Sequence, residues 1–318
     1  TSRFDYHHWA DRGIYRTLAL LAIVLLLLVL VPQIGVKVDG ARRWLKVGPG
    51  RFQPSELAKF ALIVLLAVKL TENRDNARQL FRGFLPPAAI AAVFAGLVLA
   101  ERDLGIPTMM MGTAALMMFA GGIRWQFLAA SAVPGVAGVF ALVWFAPHRL
   151  IRLLAFLNPW DYHNDAGWQL IQSYAAFARG GLLGQGVGAG EQKLGYLPAA
   201  HTDFIFPVIG EELGLLGTLI VVAMFMGLAW GAYRITANAQ DHFGAILATG
   251  ITAMITLQAV FIMAVTTGML PTKGLPLPFI SHGGTALIVS LGMTGVLVNI
   301  GLQAHVPEPK PVLIHAVQ

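Results

Sequence analysis

From Thr17 to Val36 not one residue carries a charge, and neutral stretches of this kind recur along the rest of the chain. A helix of about 20 apolar residues crosses the ~30 Å hydrocarbon core of a bilayer. Candidate spans run from Thr17 to Val36, Leu57 to Val68, Phe84 to Ala100, Leu104 to Ile123, Gln126 to Ala146, Leu213 to Ala232, Phe243 to Leu270 and Leu275 to Ala304. The chain therefore reads as one all-α membrane domain over residues 1–318, a polytopic transmembrane helical bundle of about eight spans. Only 12% of its 318 residues are charged, against roughly 25% in soluble domains, which excludes a water-exposed globule. The first stretch is too long and uninterrupted for a signal peptide, and no small-residue cleavage pattern follows it.

The second stretch is short unless it begins near Pro54. The last contains Pro276, Pro278 and Gly283-Gly284, so it is expected to start as a broken or re-entrant segment. The longest non-spanning region, His148 to Asp203, reads as a large extracytoplasmic loop, since loops of this length in compact proteins are functional or disordered. Its glycines, including Gly186, Gly188 and Gly190, do not lie between a strand and a helix, which leaves a nucleotide-binding reading weak.

The excess of 22 Lys+Arg over 16 Asp+Glu, a net +6, suits anionic lipid head groups and lipid-linked substrates. Basic and aromatic residues do not alternate as they do in a nucleic-acid platform. With no Cys, disulfides and thiolate metal sites are excluded. Basic residues divide almost evenly between the two sets of alternate loops. Discounting the long loop leaves a mild excess on the N-terminal side, which sets that end in the cytoplasm.

Four segments could carry chemistry. The first, Gly40 to Lys59, reads GARRWLKVGPGRFQPSELAK. Its plain reading is an interfacial hairpin, with Arg43 and Trp44 as head-group anchors and Ser55 capping the next helix. Lys59, however, falls inside an apolar helix, where a charge costs roughly 2.5 to 3.5 kcal/mol unless it finds a partner or water. The second is Glu101-Arg102-Asp103, which could simply keep a short turn in water. The third is His201-Thr202-Asp203 with Glu211-Glu212 beyond it. Asp203 could be only an N-cap, yet the two glutamates ask for a polar cavity. The fourth, Gly268 to Ala286, is a kinked hairpin or a set of freed backbone N–H groups able to hold phosphate oxygens.

In this order the four segments resemble the SEDS family of peptidoglycan polymerases, the FtsW, RodA and SpoVE proteins. The likeness rests on GARRW with FQPSELAK, DLG, the run from Gln169 to Leu213 containing IQS, GGLLGQGVG and HTDFIFPVIGEELG, and PTKGLPLPFIS with GG. AHTDFIFPVIGEELG, GMLPTKGLPLPFIS and Asn299 are more similar to the FtsW branch than to RodA. Family members have ten spans, so the resemblance implies that two N-terminal spans are missing here. Arg102 stands where Pro is usual before DLG, Ala199 where an acidic residue is common, and His282 where Tyr is usual.

The resemblance implies an inverting peptidoglycan glycosyltransferase that polymerises lipid II at the outer face of the cytoplasmic membrane, in division or elongation. It assigns Asp203 as general base. Arg43, Lys46, Lys59 and Lys273, with the backbone of Ser281, His282, Gly283 and Gly284, become candidates for the leaving diphosphate. Gln53, Glu56, Asp103, Gln172, Ser173, His201, Thr202 and Glu212 match family positions around the substrate. A divalent cation, Mg2+ or Mn2+, could neutralise the diphosphate, although no ligand cluster at metal spacing is visible. The implied partners are lipid II, undecaprenyl-pyrophosphate-linked glycan, a class B penicillin-binding protein and other division or elongation proteins. Two alternatives stay open: a lipid II flippase, motivated by Lys59, Glu211, Glu212 and the broken helices, and a non-catalytic scaffold of a division complex.

Overall fold

The computed structural model describes residues 4–38, 41–48, 50–192, 197–198 and 201–304. Helix α1 (Arg12–Leu30) opens with the Asp11 carboxylate accepting from the Gly13 N–H, an N-cap. It ends short of the expected Val36 because Val31 precedes Pro32 and turns extended, as residues before proline do.

The chain then forms β1 (Gly35–Val38), β2 (Ala41–Val47) and β3 (Gly50–Phe52), a three-stranded antiparallel sheet in sequence order. This small sheet builds out the predicted interfacial hairpin within a fold that is otherwise helical, as expected. Pro54 opens α2 (Pro54–Glu72) at a position where its missing N–H costs nothing. The remaining helices are α3 (Leu85–Ala100), α4 (Gly105–Ala120), α5 (Trp125–Trp144), α6 (Pro147–Leu157), α7 (Trp168–Gly180), α8 (Ile205–Ala237), α9 (His242–Thr266) and α10 (Gly284–Gln303).

Each of the eight apolar stretches carries a helix. Among the described residues, six helices are long and apolar enough to cross a membrane: α1, the Leu80–Ala100 run containing α3, α5, α8, α9 and α10. Helix α4 is shorter, and α2 carries ionisable residues in its interior. Helix α8 starts at Ile205, well before the expected Leu213, and is kinked at Gly214, whose φ is 66°. The loop between α5 and α8 is itself helical in α6 and α7.

Helices α2 and α9 form the centre of the bundle, with most of their side chains buried. Lipid tails are as apolar as leucine, so close packing rather than water exclusion holds such helices together. Gly250 illustrates this: a methyl group there would fall 2.6 Å from the Met117 sulfur and 2.7 Å from Ile63. Helix α5 differs from the others in burying none of its residues.

Candidate active site

The segment joining α9 to α10 carries Pro271, Pro276 and Pro278 and is not helical, so its backbone groups need partners outside a helix. They find them in the loop that leads into α8. The His282 N–H donates to the His201 carbonyl at 2.9 Å. The buried Ser281 hydroxyl donates to the Thr202 carbonyl and accepts from the Leu277 N–H at 2.7 Å. Asp203, which follows, is half-buried with its carboxylate packed on Gly274. Helix α8 begins two residues later with Phe204 at its N-cap.

Beneath this junction runs a polar chain through the core. Glu56 and Lys59, 1% and 2% exposed, form an ion pair at 2.8 Å one helical turn apart on α2. Lys59 also donates to Gln258 Oε1 on α9 at 2.8 Å, and Gln258 donates in turn to the Pro276 carbonyl at 2.7 Å. The pairing removes the isolated charge that made Lys59 costly. It also ties the proline segment to the two central helices.

Above lies a cavity of about 380 Å³ whose walls include Arg43, Arg102, Arg149, Arg152 and Lys273 around one carboxylate, Asp103. Asp103 accepts from the Gly105 N–H at 2.8 Å, which starts α4, and pairs with Arg43 at 3.2 Å. Arg43 also donates to the Arg102 carbonyl at 3.3 Å. Burial and then the neighbouring Arg152 push the Lys273 ammonium down to about 8. Burial, followed by Arg149, likewise holds His148 below the ordinary histidine range. So much uncompensated positive charge in one concavity would suit a multiply charged anion.

An apolar groove adjoins this cavity. Leu104, Val136, Val139, Phe140, Val143, Leu153 and Phe261 line it, and it shares Arg149, Arg152 and Lys273 with the cavity. A head group held by the cations would thus direct its hydrocarbon chain between α4, α5, α6 and α9.

Of the residues singled out from sequence, Arg43, Asp103 and Lys273 line the cavity and Asp203 adjoins it through Gly274. Others lie elsewhere. Lys46 is exposed on β2 opposite Arg51. Lys59 and Glu56 pair in the core. The Gln53 N–H donates to Thr285 Oγ1 at 3.3 Å, which draws Gly283 and Gly284 at the start of α10 toward β3. Ser173 donates from α7 to the Thr266 carbonyl, and Gln172 beside it is half-buried.

The glutamates of α8 hold the glycine loop. Glu212 accepts from the Gly188 N–H at 3.0 Å, and Glu211 accepts from Glu191 and Gln192 at 3.2 and 3.1 Å. This corrects the expectation that the pair faces a polar cavity: its carboxylates satisfy backbone donors of a folded-back loop. Ala199 lies outside the described residues.

Sequence reasoning passed over Arg149 and Arg152 as loop charges. Their spacing of three, in a run otherwise rich in leucine, puts them on one face of an amphipathic helix, which was the available signal. Arg102 has a φ of 63°, a left-handed conformation closed to the proline usual at this point, so the α3–α4 turn has its own shape.

For a resident divalent cation the lining does not fit. Asp103 is already committed to Arg43, and among the described residues no group of three acidic or histidine side chains converges.

Comparison with known proteins decides the family: a model described as "Cell cycle protein", covering FtsW, RodA and SpoVE, matches residues 2–305. The chain belongs to the FtsW/RodA/SpoVE family. A "Probable peptidoglycan glycosyltransferase FtsW" of Geobacter sp. (strain M18) is 45% identical, over 93% of this chain and 80% of that protein. The stage V sporulation protein E of Bacillus subtilis (strain 168) is 39% identical, over 92% of this chain and 80% of its own length. Among solved structures, a chain from a peptidoglycan synthase complex superposes with TM-score 0.80 at 27% identity, covering 96% of this chain and 85% of that one. The rod shape determining protein RodA of Thermus thermophilus superposes with TM-score 0.67 at 27% identity, covering 93% and 80%. The FtsW/RodA/SpoVE fold, with its apolar helices, makes this a multi-pass protein of the cytoplasmic membrane.

Proposed function

We propose that the chain is a peptidoglycan glycosyltransferase that polymerises lipid II at the outer face of the cytoplasmic membrane. The observation that carries this reading is the carboxylate of Asp203 against Gly274, the residue next to Lys273 in a cavity of cations. In the reaction an acceptor sugar hydroxyl attacks the anomeric carbon of a donor. The new glycosidic C–O bond forms as the bond to the donor's diphosphate breaks. Asp203 takes the hydroxyl proton, and the bonding electrons leave on the diphosphate. Lys273, Arg149 and Arg152 stabilise that charge. The adjoining apolar groove accepts the polyprenyl chain at roughly 0.8 kcal/mol per buried methylene.

The names of the relatives support the reaction class, and the synthase complex among the structural neighbours supports a penicillin-binding transpeptidase as partner. The pairing of Lys59 with Glu56, and the backbone donors held by Glu211 and Glu212, account for the membrane charges that motivated transport, which weakens the flippase reading. Polymerisation of lipid II by the purified protein in detergent tests the proposal. Asp203→Asn is expected to retain lipid II binding and lose strand formation. Strand formation at the unsubstituted rate would reject it.

A further inference from the structure

On β2 the pairing slips at Arg43, which has no partner on β1; Arg43 lines the cavity described above and Arg42 a separate one of about 240 Å³. Arg42 meets Lys37, Glu101 and Arg102 there, with Leu30 and Ala100 closing the space at the ends of α1 and α3. Arg102 borders both cavities.

Two features of this second cavity are costly as they stand. Lys37 and Arg42 are direct cross-strand partners on β1 and β2, and like charges so opposed repel. Glu101 is 1% exposed, and neither of its carboxyl oxygens has a hydrogen-bond partner among the described residues. An unpartnered buried polar group in a native fold calls for an explanation. Burial, reinforced by nearby Asp103, raises the Glu101 carboxyl to about 8, so at neutral pH it keeps its proton and is an O–H donor. One anion held between the side chains of Lys37 and Arg42 would relieve both costs: it would offset their repulsion and accept from Glu101.

A polymerase that joins lipid-linked sugars handles two diphosphates at once, one that departs with the donor's lipid and one that stays on the acceptor. The larger cavity, with its apolar groove, accommodates one head group. We propose that the cavity of Lys37, Arg42, Glu101 and Arg102 binds the diphosphate of the second lipid-linked substrate. Its hydrocarbon chain runs along α1 past Leu27 and Val31, which are exposed. The identity of the ligand rests on the glycosyltransferase reading; the existence of the anion site does not.

The test counts bound lipids by native mass spectrometry of the full chain in detergent, with undecaprenyl pyrophosphate as probe and phosphatidylglycerol and inorganic pyrophosphate as competitors. The unsubstituted protein is expected to hold two diphosphate lipids. Lys37→Gln/Arg42→Gln should hold one, with the second affinity falling about tenfold or more. Arg42→Lys should keep both, which separates lost charge from lost folding. Retention of two diphosphate lipids by the double variant overturns the proposal, as does complete displacement of the second by phosphatidylglycerol. The same preparation is assayed for strand formation. An unsubstituted protein that binds two diphosphate lipids but makes no strands would refute the polymerase reading while leaving the second site intact.

Discussion

The carboxylate of Asp203 lies so near the α-carbon of Gly274 that a methyl group built there would fall 2.4 Å from Oδ2. Gly274→Ala should therefore displace Asp203 without disturbing the helical core. The expected result is a fall in kcat of about a hundredfold, on the scale of a misplaced catalytic group, with KM and melting temperature close to unchanged. Steady-state kinetics of lipid II polymerisation beside a thermal melt check this. A proportionate loss of melting temperature would mean that the glycine serves folding instead.

Glu56 and Lys59 should behave as a pair. Removing either partner, as in Lys59→Met or Glu56→Gln, leaves a buried group without its counterpart and should cost about 3 kcal/mol or more. The double substitution should recover much of that loss, because no charge then remains stranded. Thermal unfolding of the three variants in detergent measures the coupling. Additive losses would show that the two side chains act independently.

Lys273 gives the site an alkaline limit. Its ammonium is lowered to about 8, so it is charged below that pH and loses its charge as pH rises through it. Diphosphate binding should weaken over the same interval. The alkaline limb of kcat/KM is expected near pH 8, and Lys273→Arg should move it upward, since a guanidinium stays protonated throughout. An unchanged limb in that variant would assign the transition to another group.

Arg149→Gln and Arg152→Gln should each lower kcat/KM for lipid II roughly three- to tenfold, with KM raised and kcat reduced, because the arginines hold the diphosphate both when bound and as it departs. The loss should shrink at high salt, where the unsubstituted protein also binds less well. KM measured at two ionic strengths tests this.

The hydrophobic periodicity made the eight helical stretches legible, because lipid tolerates few other backbone solutions. Their ends were less so. Val31 stops α1 through the following proline, and α8 starts early because its first turns pack on the glycine loop and not in lipid. The three-stranded sheet escaped notice since its strands are short and mix Arg, Lys and Gly with apolar residues.

At the site, motif spacing found Arg43, Asp103, Asp203 and Lys273, which converge from four distant parts of the chain. It picked out equally Glu212, Ser173 and Gly283, which lie outside that cavity and engage hydrogen bonds or a helix end. Only three-dimensional contact distinguishes a residue that faces substrate from one that supports its neighbour.

The links from His282 to His201 and from Ser281 to Thr202 fasten the loop of Asp203 to the strap that bears Lys273. In the proposed reaction, base and counter-charge would thus be one mechanical part. Under the proposed polymerisation, a lengthening glycan would slip past Asp203 and Lys273 as past a single anvil.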